Sequence, residues 1–124
     1  VEDRFRILGW LDDEELDRLY EGSAGTISPS NYEGYGLSVT TSLAFGLPTL
    51  ASDIPPHRET GGDAAVYFDP GDSDSLASAL GVAAFDQEGR LRMGEEALER
   101  HRALLSVDRS WSRAVDDFLA AYPA

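Results

Sequence analysis

Apolar and polar positions along the chain switch between a period near two and a period near three and a half, and the switches predict its elements. Arg4 to Leu11 carries a short β-like core, Phe5-Arg6-Ile7-Leu8, followed by Gly9. Asp12-Asp13-Glu14-Glu15 then opens a helical pattern with Leu16, Leu19 and Tyr20 on one side, and Asp12 and Glu15 have the spacing of a capping box. Gly25-Thr26-Ile27-Ser28 reads as a strand stopped by Pro29-Ser30, and the loop from Asn31 to Gly36 leads into a helix from about Leu37 to Phe45, ended by Gly46. Leu47 to Ser52 is a further strand, bounded by Asp53-Ile54-Pro55-Pro56. Ala64 to Phe68 is another, closed by the turn formers Asp69-Pro70-Gly71-Asp72. Helical patterns follow at about Ser73 to Phe85, Glu88 to Leu104 and Trp111 to Tyr122. Leu76, Leu80 and Ala83 mark the apolar face of the first, and Ala114, Phe118 and Tyr122 that of the last.

Short strands separated by helices of this length predict an α/β fold: a Rossmann-like parallel sheet with flanking helices, whose right-handed crossovers are expected to cover both faces. The 124 residues suffice for one domain and exclude a separate substrate domain. An apolar run that starts almost at the first residue leads to the expectation that sequence upstream is missing, so that residues 1–124 form a partial domain.

Charge and composition narrow the function. The net charge of −13 leaves no basic stripe for a phosphate backbone, so nucleic acid is not an expected partner. With no Cys, disulfides, thiolate catalysis and Cys-ligated metals are excluded. No apolar run approaches the length of a transmembrane segment, and the N-terminus has no signal-peptide pattern, so a cytoplasmic location is expected, in a parent able to sit peripherally at a membrane. All ten basic residues are Arg and none is Lys.

The chemistry concentrates in Pro29-Ser30-Asn31-Tyr32-Glu33-Gly34-Tyr35-Gly36-Leu37. Two glycines one residue apart, between a strand and a helix, let backbone N–H groups and a helix N-terminus approach an anion; a turn or packing role is the alternative. The third glycine of a dinucleotide fingerprint and the Gly-Lys-Ser/Thr of a P-loop are both missing. Glu33 would repel a phosphate, so sugar hydroxyls are its natural partner, with a solvated loop carboxylate as the bland reading. Ser30 and Ser38 read as local caps or ligand contacts, and Thr40 and Thr41 as facing the core or a helix turn.

Phe5 to Leu11 with the acidic helix start after it, Pro29-Ser30 with Glu33-Gly34-Tyr35-Gly36-Leu37, Ala44-Phe45-Gly46-Leu47-Pro48-Thr49, Ala51-Ser52-Asp53, Glu59, Gly61-Gly62-Asp63-Ala64-Ala65, Phe68-Asp69-Pro70 and Ser110-Trp111 together resemble the C-terminal nucleotide-sugar-binding domain of GT-B-fold retaining glycosyltransferases of family 4. The resemblance implies transfer of a sugar from a nucleoside diphosphate sugar to a hydroxyl acceptor with retention, no separate cofactor and no metal. Glu33 would touch the transferred sugar as the catalytic carboxylate. Gly34, Tyr35, Gly36 and Leu37 would line the donor diphosphate and sugar, while Trp10 and Leu11 would border the base. Two departures stand out. The family's second glutamate, which holds the ribose, falls at Thr41, and the basic pair that neutralises the leaving diphosphate has no counterpart in a chain without Lys. Together with the lack of an N-terminal acceptor domain, this leads to the expectation that the isolated chain is inactive. The alternative is a degenerate, non-catalytic nucleotide-sugar-binding or interaction domain.

The remaining candidates read as structural. His57, after Pro55-Pro56, is assigned to a surface loop or the border of a cleft, and His101 to a solvated face of a charged helix that pairs Glu96 with Arg100. Without Cys or a compact Asp/His spacing there is no zinc site. Asp69 to Asp74 departs from a calcium loop beyond its third acid and reads as a turn and helix cap. Trp111 is expected to anchor its helix to the core.

Overall fold

A computed structural model describes residues 4–84, 87–107 and 111–121. Its elements run α1 (Asp13–Glu21), β1 (Thr26–Ser28), α2 (Leu37–Ala44), β2 (Thr49–Ser52), α3 (Pro55–Gly61) with a 3-10 turn at Gly62–Ala64, β3 (Ala65–Phe68), α4 (Ser73–Ala84), α5 (Gln87–Ser106) and α6 (Trp111–Ala121). The three strands form one parallel sheet in the order β1-β2-β3, with Ile27, Leu50 and Val66 in register. This is the expected α/β, Rossmann-like arrangement.

Side-chain alternation along the strands divides the core in two. Ala51 faces Val39 and Leu43 of α2, Ala97 and Leu104 of α5, Ala64 and the half-buried Tyr67. Leu50 and Phe68 face Ala79 and Ala83 of α4, with Val66, Leu76 and Met93 against them. Helix α5 supplies both clusters and ties the layers together. The expectation of cover on both faces holds, but its reason needs correcting. The two crossovers step in the same direction across the sheet, so their common hand puts α2 and α3 side by side, and the opposite face is covered by α4, which follows the last strand.

Two further expectations are corrected. The predicted strand in Arg4 to Leu11 does not form; the segment is irregular, with Phe5 73%, Ile7 87% and Trp10 88% exposed. An extended run is stabilised by a neighbouring ladder and a covered face, and this one has neither among the described residues. Residues 55–61, left without an element by the sequence reading, form α3. Pro55 and Pro56 occupy its first turn, where a missing N–H costs nothing and the fixed φ is already helical.

The end signals acted where their geometry could be completed. Asp12 accepts from the Glu15 N–H at 2.8 Å while Glu15 accepts from the Asp12 N–H at 3.1 Å, closing the capping box of α1. Asp72 accepts from the N–H groups of Asp74 and Ser75, so the acidic turn is the cap of α4. Phe85, Ser110 and Tyr122 lie outside the described residues, as do the side chains of Trp111, Ala114 and Phe118.

Candidate functional site

The carboxyl ends of parallel strands are where an α/β sheet leaves a crevice for ligands, because the connecting loops diverge there. Ser28 ends β1 and Ser52 ends β2, and the loop after each carries one member of a buried polar cluster. The loop after β1 brings Glu33; the turn after β2 starts α3, whose third residue is His57.

His57 is completely buried and every polar atom of its ring has a partner. Nδ1 lies 2.9 Å from the Ser52 carbonyl and 3.2 Å from the Ser52 hydroxyl. The carbonyl can only accept, so Nδ1 carries a hydrogen. Nε2 meets Oε1 of Glu33 directly and has the Ser28 hydroxyl at 3.3 Å. A carboxylate against a ring nitrogen requires one proton between them, whichever atom holds it. Ser28 in turn meets the Ser38 hydroxyl of α2 at 2.6 Å, and Ser52 donates to the Ser28 and Ser30 carbonyls. The cluster thus joins β1, β2, α2 and α3 around one imidazole.

A serine, a histidine and a glutamate in contact invite comparison with a hydrolytic triad, and the geometry rejects it. In a triad the acid and the serine occupy opposite ring nitrogens. Here Glu33 and Ser28 share Nε2, and Ser28 is only 6% exposed; on the opposite nitrogen Nδ1 donates to the Ser52 carbonyl, and the nearby Ser52 hydroxyl is completely buried and spends its hydrogen on the Ser28 and Ser30 carbonyls. Glu33 is the outward member, with 23% of its side chain exposed.

Gly36 joins the loop to α2 as its N-cap, with φ +89° and no side-chain cap. A Cβ there would lie 2.7 Å from Oγ1 of Thr60, so both conformation and the closeness of α3 require glycine. The first turn of α2 presents its N–H groups without a capping side chain, beside Glu33. Gly34 is different. Nothing lies within 4 Å of a Cβ built on it and its φ is not positive, so neither packing nor backbone conformation demands glycine there.

The platform under the cluster is fixed from outside. Arg100 of α5 donates to the carbonyls of Thr60 (2.9 Å) and Glu59 at the end of α3, in place of the expected pairing with Glu96. Tyr67 donates to the Gly62 carbonyl at 2.8 Å, with the His57 carbonyl at 3.2 Å, and burial pushes its phenol above the usual tyrosine range. Arg58 forks onto Asp53 at 2.7 and 2.6 Å, which holds that exposed carboxyl below its ordinary range, and stacks 3.9 Å over the Tyr67 ring. Among the described residues no group of three or more His, Asp or Glu is arranged to hold a metal ion, and no helix is long and apolar enough to cross a membrane.

Comparison with known proteins decides the family. The profile of the glycosyl transferases group 1 matches residues 1–100. The chain belongs to that family. Among curated glycosyltransferases it is 35% identical over 75 residues to the O-antigen chain mannosyltransferase B of Escherichia coli, covering 60% of this chain and 20% of that protein. It is 29% identical over 124 residues to the D-inositol 3-phosphate glycosyltransferase of Corynebacterium glutamicum, covering 98% of this chain and 28% of the relative. A solved sucrose-phosphate synthase from Thermosynechococcus elongatus superposes with a TM-score of 0.76 at 26% identity, over 97% of this chain and 30% of the synthase. The chain therefore spans less than a third of the length of these relatives.

Within this glycosyltransferase domain the sequence-derived candidates fall into three groups. Glu33, Gly34, Tyr35, Gly36 and Leu37 run consecutively into α2, with Tyr35 43% and Leu37 68% exposed, Glu33 half-buried and Gly36 buried. Thr41 lies one helical turn beyond Leu37, and its hydroxyl donates to the Leu37 carbonyl at 2.9 Å, the helix-turn role expected for it. Trp10 and Leu11 lie in the irregular segment before α1, outside the Glu33–His57 cluster. Sequence reasoning missed His57, which is a buried helical residue and not part of a surface loop. The signal was the proline pair, which marks a helix start as readily as a strand end. His101 is also corrected: it is half-buried, and its Nδ1 is buried with no partner among the described residues.

Proposed function

We propose that the chain is the donor-binding part of a retaining, family 4 type glycosyltransferase, a partial C-terminal domain whose parent moves a sugar from a nucleoside diphosphate sugar to a hydroxyl acceptor. The observation that carries this reading is the placement of Glu33, a part-exposed carboxylate on the loop that leads into the uncapped N-terminus of α2. An anion at that helix end would meet free N–H groups and the positive end of the helix dipole. Glu33, one loop away, would accept hydrogen bonds from sugar hydroxyls. Gly34 leaves room for close approach. The donor diphosphate itself would take the acceptor's proton in a front-face transfer, with an upstream basic pair and an acceptor domain supplied by the rest of the parent. The 124 residues alone would not turn over.

A degenerate, non-catalytic domain is the second reading, and Thr41 favours it. Its one hydroxyl already serves the Leu37 carbonyl, so it offers little to a ribose. Calorimetry of the chain with GDP-mannose and UDP-glucose separates the two. Donor binding that weakens by at least tenfold in Glu33→Ala supports the transferase reading, and no binding of either donor supports the degenerate one. Thr41→Glu is expected to strengthen nucleotide binding by about ten- to a hundredfold if the site is used, since a charge-assisted hydrogen bond contributes about 1.5 to 3 kcal/mol.

A further inference from the structure

We propose that His57 is a positioning residue for Glu33: its imidazole holds Oε1 of the carboxylate and leaves the other oxygen turned outward for the sugar hydroxyls. The inference rests on the reading of Glu33 as the sugar-facing carboxylate. A loop glutamate next to solvent has several rotamers to choose from, and fixing one costs entropy that a donor would otherwise have to overcome. Here the choice is already made. His57 is fully buried, its ring is held by the Ser52 carbonyl on Nδ1 and by the Ser28 hydroxyl beside Nε2, and its backbone carbonyl has Tyr67 and Thr60 against it. An imidazole gripped in this way cannot follow Glu33, so Glu33 must come to it.

The shared proton gives the arrangement a direction. Because Nδ1 keeps its hydrogen on Ser52, the proton shared with Glu33 lies between Nε2 and Oε1, at the edge of the ring that faces the loop. The carboxylate is anchored by one oxygen and has part of its surface open, which is the state in which it can accept from a hydroxyl without moving. The cluster is built on the ends of β1 and β2, and α3 is clamped to α5 by Arg100.

The test has a spectroscopic arm and a binding arm, both on the 124-residue chain. With imidazole nitrogens labelled with nitrogen-15, and His57→Gln used to assign the two histidines, Nδ1 of His57 is expected to remain protonated while Nε2 shifts strongly on Glu33→Gln. An Nε2 signal indifferent to Glu33→Gln, or an Nδ1 without its proton, overturns the pairing. In the binding arm, the affinities of GDP-mannose against GDP, and of UDP-glucose against UDP, isolate the contribution of the sugar. His57→Phe is expected to remove about tenfold of the sugar contribution while leaving GDP and UDP binding unchanged, and His57→Gln, which keeps a donor toward Glu33, to retain part of it. If His57→Phe does not fold, His57→Gln carries this arm. Equal loss of sugar nucleotide and plain nucleotide overturns the positioning role. A wild type that binds each nucleotide and its sugar derivative equally, with the nitrogen signature intact, overturns the sugar-facing reading of Glu33 and the inference with it, but leaves the His57–Glu33 pair standing as structure.

Discussion

Arg4 to Leu11 and Leu47 to Ser52 are both short stretches that the side-chain pattern assigns to strands, yet the first leaves Ile7 87% and Trp10 88% exposed while every residue of the second is buried. Composition does not separate them. Position in the sheet does: β2 has a parallel neighbour on each side, α2 above Ala51 and α4 below Leu50, whereas the N-terminal stretch runs ahead of α1, a helix that itself buries no residue. Hydrophobic side chains stabilise a strand by what covers them and by the ladder that holds their backbone, and neither is a property of the stretch itself. The site follows the same division. Ser28, Ser52 and His57 are fixed by the packed half, and Trp10 belongs to the half without cover.

The sharpest way to break the contrast is to hollow out the packed half. Leu50→Ala removes a side chain that is 3% exposed between β1, β3 and α4, and is expected to cost roughly 2 to 5 kcal/mol in urea unfolding. A cost below 1 kcal/mol would mean that β2 is no better packed than the N-terminal stretch. Tyr67→Phe probes the join between sheet and site. It removes the hydroxyl that donates to the Gly62 carbonyl, for an expected loss of about 1 kcal/mol near neutral pH. Burial raises the Tyr67 phenol above its unfolded value near 10, so its neutral form is favoured in the fold. That contribution is complete below the unfolded value and is lost as pH rises through the folded one, so the wild type's advantage over Tyr67→Phe should shrink above about pH 10. An advantage that grows with alkalinity would overturn the assignment. The smallest effect is predicted for Ile7→Ser, within about 0.5 kcal/mol, because the side chain it replaces is already in water.

Much of the architecture was legible because it depends on local pattern. The capping box at Asp12 and Glu15 and the helix following Gly36 came from local spacing and are satisfied within a few residues of themselves, while the strands ending at Ser28, Ser52 and Phe68 were legible as short runs bounded by turn formers although their ladders pair them with distant segments. The order of motifs from Glu33 to Asp69 also carried the family. What the pattern could not carry was the fate of side chains whose partners lie far along the chain. Glu33 and His57 are 24 residues apart and meet only because β1 and β2 pair in register. Arg100 had an i,i−4 partner available at Glu96 and took the carbonyls of Glu59 and Thr60 instead, some 40 residues away.

The sequence by itself determined the α/β alternation, the glycine loop before α2, the carboxylate placed on it and the absence of a glutamate at Thr41, since these are properties of residue type and local spacing. Only the tertiary structure decided that the first apolar run stays irregular, that the prolines begin a helix, and that a histidine assigned to a surface loop or the border of a cleft becomes the buried partner of Glu33. The physical reason is common to all three. Burial and hydrogen-bond satisfaction are settled by which segments lie side by side, and a run of residues does not contain its neighbours.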